Sequence, residues 1–168
     1  HLHYKPLRHI CNSAAIARHP ELHYDMVRLG LGLYGIDSSK SLTAELRQIG
    51  TLKTVIAQIK TIPAGETVGY NRMGHADKEM RIATICIGYA DGYPRALGNG
   101  KAHVLIHNKP AKLIGIVCMD MCMVDISDIP EAQEGDEVIV FSPQLPVGQL
   151  AAWSGTIPYE IMTGISQR

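Results

Sequence analysis

A chain of 168 residues is long enough to bury a core, and its 46% hydrophobic and 19% charged content is ordinary for a globular protein. Sixteen basic and sixteen acidic side chains cancel, which leaves no electrostatic footprint for nucleic acid or an anionic membrane. No apolar run approaches the roughly 20 residues of a membrane helix, no signal-peptide pattern opens the chain, and the missing initiator Met points to residues upstream of His1.

In chain order, residues 1–40 read as the end of an α/β unit. His9-Ile10-Cys11-Asn12-Ser13 is expected to end a short strand, and Ser13–Ala17 to form a helical turn broken before Pro20. Met26–Gly30 reads as a second apolar strand, followed by the glycine-spaced Leu31–Gly35. Strand, helix and strand fit a parallel βαβ repeat. One such repeat cannot cover its own faces, so it is expected to belong to something larger. Residues 37–45 are polar and serine-rich and read as the link to a second domain.

Residues 41–168 are β-rich. Val55, Ala57 and Ile59 alternate with Ile56, Gln58 and Lys60. Arg81–Ile87 reads as a nearly continuous buried strand, and His103–His107 leads into a turn at Asn108-Lys109-Pro110. Lys112–Cys118, Met121–Ile126 and Asp136–Phe141 complete the expected strands. Short strands between Gly, Pro and Asn turns suggest a small sandwich or barrel. One helix is expected near the end: Val147, Leu150, Ala151 and Ser154 share a face, with Pro146 at the start and Gly155 after it. The fold class is therefore mainly β. The four cysteines (Cys11, Cys86, Cys118, Cys122) form no Cys-x-x-Cys pair and read as reduced core thiols of a cytoplasmic protein. Zinc held by Cys118, Cys122 and a histidine is the alternative, against which four ligands at metal spacing are not visible. No metal is expected.

Tyr, Gly, Asp and Arg gather where strands end: Val68-Gly69-Tyr70-Asn71-Arg72, Ile87-Gly88-Tyr89-Ala90-Asp91-Gly92-Tyr93-Pro94-Arg95, and Val117-Cys118-Met119-Asp120-Met121-Cys122. Strand ends followed by loops are where sites are built. Taken singly, each cluster also reads as tyrosines capping a core and glycines making turns. Their combination with Ser13, Arg28 and Tyr159 shifts the balance.

Asn12-Ser13-Ala14-Ala15, Val27-Arg28-Leu29-Gly30-Leu31-Gly32-Leu33-Tyr34-Gly35, Val68-Gly69-Tyr70, Gly88–Tyr93, Gly115–Asp120 and Ile157-Pro158-Tyr159-Glu160 resemble, in that order, the alanine racemase family. The resemblance covers nearly the whole chain. It implies a (β/α)₈ barrel that holds pyridoxal phosphate, followed by a β-rich C-terminal domain. A barrel needs about 250 residues, so residues 1–40 would be only its end.

The resemblance also implies roles. Ser13, the backbone of Gly30 and Leu31, and Tyr159 match phosphate ligands; a hydroxyl and backbone N–H groups suit a dianion. Arg28 matches the arginine facing the cofactor's pyridine nitrogen, and His9 a histidine that supports it. Arginine cannot give up its proton, so that nitrogen stays unprotonated and the cofactor is a weaker electron sink, which disfavours transamination. A structural ion pair is the alternative reading of Arg28. Tyr70 matches the catalytic tyrosine, one of two acid–base groups that flank the substrate; a phenol near pKa 10 needs cationic or hydrogen-bonding neighbours to act as a base. Tyr89 resembles a residue of the substrate entrance, and Met119 one whose backbone meets the substrate carboxylate. Asp120 would support the site, while Asp91 and Arg95 read as ties within their loop.

The lysine that carries the cofactor lies in a run resembling Lys-Ala-Asn-Ala-Tyr-Gly, which this sequence lacks. The carboxylate-binding arginine and the cofactor-stacking histidine of the family have no match here either. The chain alone is therefore expected to be inactive. The family's site lies between subunits of a homodimer, so Tyr70, Tyr89 and Met119 would face the partner's cofactor. Racemisation of alanine for cell-wall precursors is the first expectation. A racemase of serine or of broad specificity is one rival, and a non-catalytic dimerisation module is the other.

Overall fold

A computed structural model describes residues 3–37 and 45–167, in two compact units, His1–Gly50 and Thr51–Arg168. Of the link expected at 37–45, residues 38–44 lie outside the described residues.

In the first unit the helical turn forms as α1, Ser13–Arg18, with the Asn12 side chain accepting the Ala15 N–H at 3.0 Å. That cap satisfies one of the orphan donors of the first turn. The two flanking strands do not form. Asp25 N–H donates to the Arg8 carbonyl at 3.1 Å and Arg28 N–H to that of Cys11 at 2.9 Å. Both segments advance in the same direction, as the βαβ reading requires. However, bonds three residues apart break the two-residue period of a pleated ladder, so the segments run side by side without forming one.

The second unit is a closed barrel. Its strands are β1 (Leu52–Ile62), β4 (Met80–Ile85), β5 (His103–Ile106), β6 (Lys109–Ile114), β7 (Cys122–Asp125) and β8 (Glu137–Phe141), in the order β1-β4-β7-β6-β5-β8 with β8 returning to β1. All pairs are antiparallel. Closure decides between the barrel and the sandwich, and it leaves no unpaired edge. Ile56, Ile85, Val104, Ile106, Val124 and Val138 are at most 1% exposed. Burial of each contributes roughly 1.5–3 kcal/mol before entropy is counted. A separate two-stranded ribbon, β2 (Thr67–Val68) with β3 (Gly74–His75), sits between β1 and β4 in sequence.

Three expectations need correction. The alternation along β1 does not run through: Val55 is exposed while Ile56 is buried, and the pairing slips between Ile56 and Gln58. A bulge inserts one residue and swaps the faces beyond it. The β5–β6 turn sits at His107-Asn108, with φ of 51° and 61°, and Pro110 pairs with Leu105 inside β6. A two-residue type I′ turn needs positive φ at both positions, which proline cannot supply. Finally, only Cys11 and Cys122 are buried; Cys118 is half-buried and Cys86 exposed. Ile85 points inward, so the next residue points out.

The expected C-terminal helix is α2, Val147–Ser154, closed by Gly155 at φ 74°. A further helix, α3 (Pro158–Gly164), follows it.

Candidate active site

Tyr70 stands on the loop between β2 and β3 and is 70% exposed. The two residues after it, Asn71 and Arg72, have φ of 56° and 55°. Such left-handed backbone costs roughly 1–2 kcal/mol per residue. Arg72 offsets part of this by donating from Nε to Thr67 Oγ1 at 3.1 Å, which ties the loop to β2.

Met119 lies on the loop joining β6 to β7. That loop turns tightly, with Cys118 N–H donating to the Met121 carbonyl at 2.9 Å. Closure of the barrel brings this loop beside the β2–β3 loop. Gly69, Tyr70, Cys118, Met119, Asp120, Met121 and Met123 line one open concavity of about 460 Å³. Tyr70 thus shares one hollow with Met119, Met121 and Met123. Cys118 and Met121 belong to the strand-end cluster marked in the sequence without a role of their own, and Met123 lies outside it. Each follows from the side-chain period of β7 and the turn before it, but only once the register is known.

Tyr89 opens the one-turn helix Tyr89–Asp91 after β4, outside that hollow. With Arg95, Glu160 and Gly164 it lines a second groove, of about 450 Å³. Asp91 ties its loop as expected: its carboxylate accepts the Gly88 N–H at 2.9 Å. Tyr159 is half-buried on α3, and its carbonyl accepts the Thr163 hydroxyl at 2.8 Å. Of the nearby phenols, Tyr93 is unsuited to proton exchange. It is 2% exposed, burial pushes its pKa well up, and its hydroxyl has no partner among the described residues. Burial also pushes the Cys118 thiol up, against the pull of the Arg95 charge.

In the first unit Ser13 Oγ accepts two backbone N–H groups, from Gly30 at 2.9 Å and Gly32 at 3.3 Å. Both acceptor positions are then used, so the hydroxyl proton is left to donate. Leu31 opens a 3-10 turn, where the first N–H has no partner within the turn. Arg28 Nη2 donates to the Ile10 carbonyl at 3.2 Å. Among the described residues no carboxylate pairs with Arg28, so the ion-pair reading finds no partner. His9 is exposed, and among the described residues it makes no hydrogen bond to Arg28. Also among the described residues, no three His, Cys, Asp or Glu side chains cluster as a metal site, and no helix is long and apolar enough to cross a membrane.

Residues 49–168 match the family model described as "Alanine racemase, C-terminal domain", and residues 1–38 that of the N-terminal domain. The alanine racemase of Desulfovibrio desulfuricans is 46% identical over 165 residues, covering 96% of this chain and 44% of that protein. Alanine racemase 1 of Clostridium acetobutylicum is 43% identical, with the same two coverages. The crystal structure of the Bartonella henselae alanine racemase, with covalently bound pyridoxal phosphate, superposes with a TM-score of 0.88 at 32% identity, over 95% of this chain and 44% of that one. The chain thus spans less than half the length of these relatives.

Proposed function

This chain belongs to the alanine racemase family, and from that premise we propose that it is the C-terminal part of an enzyme interconverting L- and D-alanine. In this reading residues 1–40 close the cofactor-binding (β/α)₈ barrel and residues 41–168 form the C-terminal domain. The observation that carries it is the shared hollow of Tyr70 and Met119, which lie 49 residues apart in sequence. Racemisation moves a proton off one face of a carbon and back onto the other. It needs an acid–base group at a defined place beside a group that holds the substrate. Tyr70 supplies the proton carrier, and the Met119 loop supplies a polar backbone against the substrate carboxylate.

The first unit fits pyridoxal phosphate in its donor chemistry. Ser13 has only its hydroxyl proton left to give, beside the Leu31 N–H, which has no partner within its own turn. A hydroxyl donor with a backbone N–H suits a phosphate dianion. By the family resemblance, Tyr159 and the backbone of Gly30 match the remaining phosphate ligands. Arg28 would offer the pyridine nitrogen a donor, never an acceptor, and His9 precedes Ile10, whose carbonyl takes the Arg28 guanidinium. When bound, the cofactor acidifies the α-hydrogen of the amino acid.

Tyr70, Tyr89 and Met119 would serve the partner subunit's site in a homodimer, while Ser13, Arg28 and Tyr159 serve their own. Exposure of Tyr70 (70%), Met119 (53%) and Tyr89 (45%) supports a face completed by another chain. The product, D-alanine, would feed cell-wall precursor synthesis in the cytoplasm. The test is turnover by the full-length protein. L-alanine is expected to racemise faster than L-serine, followed by loss of optical rotation. No racemisation of alanine would overturn the reading, and a preference for serine would replace its substrate.

A further inference from the structure

The loop that carries Met119 is held from behind by a turn with no part in the proton transfer. Tyr89 N–H donates to the Cys118 carbonyl at 3.0 Å, and Ala90 N–H to the Met119 carbonyl at 2.9 Å. A trans peptide carries its C=O and its N–H on opposite sides. The first bond therefore fixes the Cys118–Met119 peptide with the Met119 N–H directed away from the turn. The second fixes the next peptide in the same sense. Met119 lines the hollow of Tyr70, and among the described residues its N–H meets no backbone acceptor.

The turn can lie this close only because residue 88 has no side chain. A Cβ there would stand 2.2 Å from the Met119 carbonyl oxygen and 2.4 Å from that of Cys118. Asp91 closes the turn twice: its carboxylate accepts the buried Gly88 N–H at 2.9 Å, and its own N–H donates to the Gly88 carbonyl at 3.1 Å. On the far side the Asp91 carbonyl accepts Ser166 N–H at 3.1 Å, so the turn is braced against the end of the chain.

We propose that Asp91 is a positioning residue. By closing the Gly88–Asp91 turn it sets the direction of the Met119 N–H, and through it the grip on the carboxylate of the amino-acid substrate. The inference deepens the racemase reading and rests on it. A fixed N–H aimed at a carboxylate binds better than one that must reorient, and the loss falls on binding rather than on the proton transfer at Tyr70.

The experiment compares Asp91→Ala and Asp91→Asn in the full-length, cofactor-loaded enzyme. Three quantities are read: the KM and the kcat for L-alanine, and the calorimetric affinity for propionate, which is alanine without its amine. Asp91→Ala is expected to weaken KM and propionate affinity together by on the order of ten-fold, with kcat little changed and the cofactor absorbance intact. Asp91→Asn keeps an oxygen that accepts the Gly88 N–H and is expected to restore both. If Asp91→Ala does not fold, Ala90→Pro deletes the N–H onto the Met119 carbonyl directly and should show the same split. Unchanged propionate affinity overturns the proposal, as does a loss confined to kcat, or an Asp91→Asn variant as damaged as Asp91→Ala. A wild-type enzyme that binds propionate but does not racemise alanine would sink the racemase reading instead, and the two failures are thereby told apart.

Discussion

Gly88 and Gly155 make opposite demands on the same missing atom. At Gly155 the backbone is left-handed, with φ 74°, and a Cβ would meet nothing within 4 Å. Gly155→Ala should therefore cost only the torsional penalty, about 1 kcal/mol, read as a lower urea midpoint with KM unchanged. At Gly88 the backbone is extended and any residue could adopt it, but the Met119 carbonyl occupies the space. Gly88→Ala should displace the loop and raise KM. A variant with normal KM would contradict the tight packing. The thiols give a second residue-scale prediction. Burial, with the neighbouring Cys118, pushes Cys122 up to about 12, and only the thiolate attacks a disulfide reagent. Titration of the native protein at pH 8 should label exposed Cys86 first and leave Cys122 for the unfolded state. Rapid native labelling of Cys122 would contradict its burial.

Among the elements, α2 was legible because its signals are local: Pro146 before it, Gly155 after it, and apolar residues on one face. The helix α3 was missed. Its signals, Pro158 at the first position and Glu160 in the first turn, are real, but Ile161 is its only buried residue, so no apolar face announces it. The bulge in β1 was illegible for a different reason. Val55, Ile56, Ala57 and Ile59 are all apolar, so either face could have been the inner one, and the β4 partner decides. Packing between elements adds a pH prediction. His103 on β5 meets Trp153 on α2 edge-to-face, with centroids 4.8 Å apart. Burial lowers the pKa of His103 below its ordinary 6.5. The unfolded chain then binds the proton more readily than the folded one, so stability rises with pH through this range. The unfolding midpoint should fall as pH drops from about 7 through 6.5 and below, and His103→Gln should flatten part of that fall. An identical pH profile in the variant would show that His103 is not the group responsible.

At the scale of the molecule, the residue types of the site could be read from sequence, but their meeting could not. Tyr70 and Met119 belong to different connections, and only barrel closure, with β7 between β4 and β6, puts them on one hollow. The same limit applies to Ser13, whose two amide partners lie 17 and 19 residues away. The expected strands at 9–13 and 26–30 share only the bonds Asp25 N–H to Arg8 and Arg28 N–H to Cys11, too widely spaced for a ladder. The account as a whole rests on the hydroxyl of Tyr70. Tyr70→Phe in the full-length protein keeps the ring and removes the proton carrier. Alanine racemisation should fall by about 10²–10⁴-fold, while the absorbance of the bound cofactor and the elution volume of the assembly stay as in the wild type. Turnover near the wild-type rate would contradict the assignment of Tyr70 and the proposed mechanism with it.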